Sequence, residues 1–354
     1  MARPTPPPIF AHPPRRILII KPSAIGDVVH ALPVLNLLRR RWPAAHISWM
    51  ITPACAGLLE GHRQIDQLIR FDRKTFGRGW RSPQTVGQII EFRRQLGGEN
   101  FDLVIDLQGL FRSGVMSSWT GAPVRVGSTA AREFGWLFYT HVAPVLTWNQ
   151  HAIERYLIVA EFLGLGRSPV EFVFATDDAD RAHVDHLLPA GKPIAVLLPA
   201  ANWATKRWPI EKFAALVEPL QKRFGLQAVL AGGPDAAAMA ASLPGAINLA
   251  GQTTLRQLTA LLERAALVIA NDTGPMHIAA ALGRPLVTMF GPTDPVQTGP
   301  YARPETVLRL DIPCSPCYAR RCSHISCLQW LNVEAVLGRA EVELNAECKM
   351  QNAK

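Results

Sequence analysis

A chain of 354 residues is longer than one hydrophobic core usually serves, so two domains are expected. With 48% hydrophobic and 18% charged residues it reads as a packed globular protein, and no apolar run approaches the length that crosses a bilayer. Lys and Arg outnumber Asp and Glu by 37 to 28, a formal charge of +9 that suits nucleic acid, a membrane surface or a phosphorylated substrate, and equally a plain basic solvated face.

The chain opens with "MARPTPPPIFAHPP", whose prolines can build neither a helix nor a central strand and which lacks a secretory pattern. Residues 1–15 are expected to be a disordered tail, and the protein cytoplasmic. The first strand, Ile17–Ile20, runs into Lys21-Pro22 and a turn of small residues. Asp27 closes that turn at the mouth of a helix, Val28–Arg41, which Pro33 is expected to kink or to deprive of a backbone bond. Further strands are predicted at Ile47–Ile51, Gln67–Phe71, Leu103–Asp106 and Val124–Val126, with helices at Val86–Gly97 and His151–Leu163. A second series follows the loop around residue 170. Its strands are Ile194–Leu198, Ala228–Ala231, Leu267–Ala270 and Leu286–Phe290, and its helices span 181–188, 210–224, 254–264 and 275–282.

Apolar strands alternating with amphipathic helices predict an α/β protein with parallel sheets covered by helices. Each half opens alike, with a strand, a proline, a small-residue loop and a helix. The expected organisation is a first doubly wound, Rossmann-like domain over 16–170, a linker over 171–190, a second such domain over 191–330, and a C-terminal helix and tail over 331–354, the two domains facing a central cleft.

In such sheets ligands bind outside the carboxyl ends of the strands. "NDTGPMH" follows a strand there, and its free helix-start N–H groups suit a phosphate. Gly274 permits close approach, Thr273 adds a hydroxyl, and Asp272 and His277 lie within one turn; a simple helix cap at Asp272 or Thr273 is the alternative. In "LLPAANWATKRWP", Lys206 can neutralise a diphosphate or be an ordinary surface lysine, in a loop that also holds Asn202 and Thr205. Gly232, in "LAGGPD", can admit a nucleoside or make a turn. In the first half Asp27 is either a helix cap or a base for an attacking hydroxyl. Lys21 can hold an acidic acceptor nearby. Arg132 and the loop with Arg73, Lys74 and Arg78 suit carboxylate or phosphate, while Phe76 and Trp80, interleaved in that loop, leave single-stranded nucleic acid or a lipid interface open. Neither a dinucleotide-binding nor a P-loop glycine pattern is present. Cys314, Cys317, Cys322 and Cys327 cluster in "CSPCYARRCSHISC", where a structural metal and ordinary loop thiols are both open readings.

Four stretches, "KPSAIGDVVHALP", "VIDLQGLFRSG", "ATKRWP" and "NDTGPMHIAAALGRP…FGPTDP", together resemble the ADP-heptose:lipopolysaccharide heptosyltransferases of glycosyltransferase family 9. The resemblance implies a GT-B fold and inverting transfer of L-glycero-D-manno-heptose from ADP-heptose to the inner core (Kdo or heptose) of lipopolysaccharide. It implies Asp27 as catalytic base, Lys206 and the Asp272–His277 segment at the donor diphosphate, and basic residues of the first domain at the acceptor. No cofactor and no nucleic acid are implied, while a lipid-linked acceptor implies peripheral contact with the cytoplasmic face of the inner membrane. The chain departs from the pattern at Ala201 and Asn202, where two threonines are expected, and near Ala236, where a glutamate is. Two alternatives follow: a GT-B transferase or epimerase for another nucleotide sugar, or a non-catalytic basic protein that binds nucleic acid or membrane. The second predicts salt-sensitive binding without turnover and leaves Asp27 without a task.

Overall fold

The computed structural model describes residues 9–72, 82–147 and 149–352. By contacts the chain divides into two units, Met1–Ala175 and Thr176–Lys354.

The first unit is built on β1 (Arg16–Ile20), β2 (His46–Ile51), β3 (Gln67–Arg70), β4 (Leu103–Asp106), β5 (Val124–Ser128) and β6 (His141–Ala143), all parallel in the order β3-β2-β1-β4-β5-β6. Ile17 to Ile20 of β1 are fully buried, as a strand covered on both faces requires. Each such side chain is worth about 1.5–3 kcal/mol on burial. Ile20 lies opposite Asp106, so β1 and β4 end level with each other. Strand order reverses between them, which makes the loops after Ile20 and Asp106 the walls of this sheet's ligand crevice.

The second unit repeats that winding. β7 (Ile194–Leu198), β8 (Gln227–Leu230), β9 (Ile247–Asn248), β10 (Leu267–Asn271), β11 (Leu286–Met289) and β12 (Val307–Leu308) are parallel in the order β12-β11-β10-β7-β8-β9. Ala270 is opposite Leu198, so the crevice here lies between the loops that follow β7 and β10.

Three local expectations change. The tail is packed from residue 9: the Phe10 ring stands edge-on to Trp42, and the Arg15 N–H donates to Asp102. Residues 1–8 lie outside the described residues. Pro33 lies inside helix Ile25–Arg41 and, having no N–H, deprives it of one backbone bond without dividing it. The segment expected to be a linker belongs to the second unit from Thr176 on: its helix, predicted at 181–188, spans Asp178–Leu187, is capped by Asp177, and is held where Arg256 bonds Asp180 at 2.8 Å. Finally, "FRSGVMSSW" forms an unexpected helix, Phe111–Trp119.

Candidate active site

At the end of β1 the backbone turns through Pro22, Ser23 and Ala24 into helix Ile25–Arg41. Asp27, in the first turn, accepts the Ala24 N–H at 3.2 Å. It therefore does hold the helix start, as a capping carboxylate would. That bond leaves the side chain 41% exposed, with Oδ2 at 3.9 Å from Lys21 Nζ. Both functions are open to one carboxylate, because Oδ2, which steadies the turn, is also the oxygen near Lys21, and the side chain lines a pocket.

That pocket, of about 120 Å3, is lined by Lys21, Asp27, Asp106, Gln108, Ser128, Arg132, Arg155 and Tyr156, among others. Three of the residues named from sequence, Lys21, Asp27 and Arg132, thus meet in one place. Arg73, Lys74 and Arg78 lie outside the described residues. Arg132 is exposed, and its own N–H donates to Gly109 O at 2.7 Å, which hangs the arginine on the rim.

Lys21, named for an acidic acceptor, is buried, at 3% exposure. Its ammonium donates to Leu107 O at 3.2 Å and lies 5.2 Å from the centre of the Tyr156 ring. Burial pulls the Lys21 ammonium down, but Asp27, Tyr156 and Asp106 outweigh it and hold the pKa above its ordinary value. So Lys21 stays charged and aims that charge at Asp27. We expect Lys21→Met to lower kcat by about tenfold or more while leaving acceptor KM within about twofold, because a charged bond worth about 1.5–3 kcal/mol acts through Asp27. A steady-state comparison checks this; a rise in acceptor KM with kcat unchanged would make Lys21 a binding residue instead.

Sequence reasoning did not single out Asp106, Arg155 or Tyr156. Asp106 is buried, and its Oδ1 accepts the N–H groups of Gln108 and Gly109 at 2.9 and 3.0 Å. Its Oδ2 takes the Tyr139 hydroxyl at 2.7 Å. Burial pushes the Asp106 carboxyl above the usual range. With these bonds made, Asp106 organises the loop after β4 and is not poised to accept a proton from a ligand. Gly127 makes room for the arrangement, since a Cβ there would lie 2.0 Å from the Tyr139 ring. The one available signal was a carboxylate closing the otherwise apolar run "LVID".

In the second unit Asn271, fully buried, ties the crevice together. Its amide oxygen accepts the Trp208 N–H at 3.0 Å, and its amide nitrogen donates to Pro199 O at 2.7 Å. Lys206 Nζ lies 2.6 Å from Asp272 Oδ2, which also accepts the Thr293 hydroxyl at 2.6 Å. Asp272 is therefore spent on positioning Lys206. Thr273 occupies the N-cap of helix Gly274–Ala281 in extended backbone without a side-chain capping bond. Neither side chain caps the helix. Pro275 has no N–H and the Met276 N–H donates to Thr273 O at 3.1 Å, so the Gly274 N–H and the Thr273 hydroxyl are the groups suited to an anion. His277 lies in the same helix and is buried.

The remaining expectations fare differently. Thr205 is buried and donates its hydroxyl to Ala319 O at 2.8 Å, so it braces the loop. Asn202 is exposed on that loop. Gly232 has φ +130°, a backbone that an L side chain rarely adopts, and its carbonyl accepts the Gly251 N–H at 2.8 Å. Cys314, Cys317, Cys322 and Cys327 are free thiols, and among the described residues no group of three or more His, Cys, Asp or Glu side chains could hold a metal ion. The structural-metal reading of the cysteine cluster therefore gains no support.

Each crevice thus brings a lysine and a carboxylate together, Lys21 with Asp27 and Lys206 with Asp272. The family description "Glycosyltransferase family 9 (heptosyltransferase)" matches residues 89–327. The chain belongs to glycosyltransferase family 9. It is 32% identical over 318 residues to lipopolysaccharide heptosyltransferase 1 of Pseudomonas aeruginosa, covering 87% of this chain and 88% of the relative. Lipopolysaccharide heptosyltransferase 2 of Escherichia coli is 27% identical over 314 residues, covering 83% and 88%. Among solved structures, E. coli heptosyltransferase WaaC with ADP superposes with a TM-score of 0.74 at 28% identity, over 93% of this chain and 99% of that one. This family 9 chain is accordingly a glycosyltransferase with the two-domain α/β fold of the GT-B heptosyltransferases. The non-catalytic alternative falls. Among the described residues no helix is long and apolar enough to cross a membrane.

Proposed function

We propose that this family 9 enzyme transfers L-glycero-D-manno-heptose from ADP-heptose to the inner core, Kdo or heptose, of lipopolysaccharide, with inversion at the anomeric carbon. The observation that carries the reading is Asp27, exposed in a pocket that it shares with the cations Lys21, Arg132 and Arg155. An acidic sugar has matching partners there in Arg132 and Arg155.

The chemistry follows from the parts. An acceptor hydroxyl oxygen attacks the anomeric carbon from the face opposite the diphosphate, and its proton passes to the Asp27 carboxylate. The bond from the anomeric carbon to the phosphate oxygen breaks, and ADP leaves with that electron pair. Growing negative charge on the diphosphate meets Lys206, already oriented by Asp272, and the Gly274 N–H at the start of helix Gly274–Ala281. Lysine and backbone dipoles suffice for this charge. The net charge of +9 supports peripheral contact with an anionic leaflet carrying a lipid-linked acceptor.

The test is to incubate purified protein with ADP-heptose and truncated core acceptors carrying Kdo alone, one heptose or two, then weigh the products. One acceptor should gain a single heptose as ADP is released. Turnover of a different nucleotide sugar, with ADP-heptose left intact, would move the chain to the first alternative.

A further inference from the structure

The cysteine-rich segment has no task in the reaction as described, yet it is firmly seated beside the second crevice. The Ser315 hydroxyl donates to Gly291 O at 2.6 Å, and the N–H groups of Cys317 and Tyr318 donate to Pro292 O at 3.0 and 2.8 Å. Pro292 directly precedes Thr293, the residue that bonds Asp272. On the other side, Ala319 O accepts the Thr205 hydroxyl, one residue before Lys206. The segment thus spans both loops that hold the Lys206–Asp272 pair.

This seating fixes Arg320. It follows Ala319 as Lys206 follows Thr205, and both cations lie over the same indole: Lys206 Nζ is 4.8 Å from the centre of the Trp203 ring, and Arg320 Cζ is 4.9 Å from it. The two charges are therefore separated by no more than the sum of those distances. Lys206 has its counter-ion in Asp272. Arg320 is exposed, and among the described residues no carboxylate lies within ion-pairing distance of it. Two cations gathered on one ring, of which Lys206 alone has a paired carboxylate among the described residues, leave the positive charge of exposed Arg320 uncompensated. The aromatic face orients the guanidinium, whose planar fork is shaped for two phosphate oxygens, whereas a lysine acts as a point charge.

We propose that Arg320 is a second phosphate-binding residue of the donor site and that the cysteine-rich segment serves to deliver it. The proposal rests on the nucleotide-sugar reading above. Lys206 and Arg320 divide a nucleoside diphosphate between them, so Arg320 discriminates two phosphates from one.

Calorimetric titration of the full chain with ADP, UDP, GDP and AMP tests this. Arg320→Ala should weaken binding of the preferred nucleoside diphosphate by about tenfold and AMP by less than twofold, since one charged contact is lost from one phosphate. Donor KM should rise while acceptor KM holds, Arg320→Lys should recover part of the loss, and unliganded melting should not move. Arg321→Ala, which removes the neighbouring exposed charge, should leave diphosphate affinity unchanged. The proposal fails if Arg320→Ala binds the diphosphate as the wild type does, or if it loses diphosphate and monophosphate affinity equally. Preference of the wild type for UDP or GDP would sink the ADP-heptose assignment while leaving Arg320 to be judged on that nucleotide. Binding of no nucleoside diphosphate would sink both.

Discussion

Asp27→Asn should lose roughly 10²- to 10⁴-fold in kcat, the usual worth of a positioned general base, while binding ADP as tightly as the wild type. Asparagine is the informative replacement. Its amide oxygen can still accept the Ala24 N–H that Asp27 accepts at 3.2 Å, so the start of helix Ile25–Arg41 keeps its bond. What disappears is the proton acceptor and the charge facing Lys21. Thermal unfolding should show little change, and single-turnover mixing with donor and acceptor should locate the defect in the chemical step. Near-normal turnover by this variant would remove Asp27 from the chemistry and leave it a helix-start residue alone.

A different signature is expected for Lys206→Ala. Asp272 is 5% exposed and shares its Oδ2 between Lys206 and Thr293, so deleting the lysine strands a buried carboxylate. Breaking a buried pair from one side costs about 3 kcal/mol or somewhat more. A melting temperature lower by roughly 5–10 °C is therefore expected, together with a rise in donor KM of about tenfold or more from the lost charged contact. Lys206→Ala combined with Asp272→Asn separates the two effects. The amide needs no counter-ion, so stability should recover largely while the donor KM stays high. If the double variant recovers donor binding as well, Lys206 acts on the fold and not on the phosphates.

The sheet interiors were readable because strands buried on both faces spell continuous apolar runs, as in "ILII" and "AVLL". The strands that escaped notice are β6, β9 and β12, the short edge strands of two or three residues. Two residues carry no periodicity, and such strands form only because a neighbour offers its free edge. Helix Phe111–Trp119 was hidden by composition. Its Ser117 and Ser118 satisfy their hydroxyls on the carbonyls of Gly114 and Val115, so residues that often mark loops lie within a helix. In the site, Lys21, Asp27 and Arg132 were legible as polar residues just beyond strand ends. Tyr156 and Arg155 were not, because they reach the same pocket from helix Ala152–Phe162 and nothing local to that helix distinguishes them. Lys206 and Asp272 were each picked out for an anion, but their direct bond joins loops far apart in the chain.

The two sheets follow one winding plan, so each crevice is a property of backbone topology and exists before any side chain is chosen. Under the proposed division of labour, sugar acceptance and nucleotide capture are written on separate copies of that plan. Selection, or an engineer, can therefore rewrite the lining of Arg132, Arg155 and Ser128 to suit a new glycan without disturbing the residues assigned to the activated sugar.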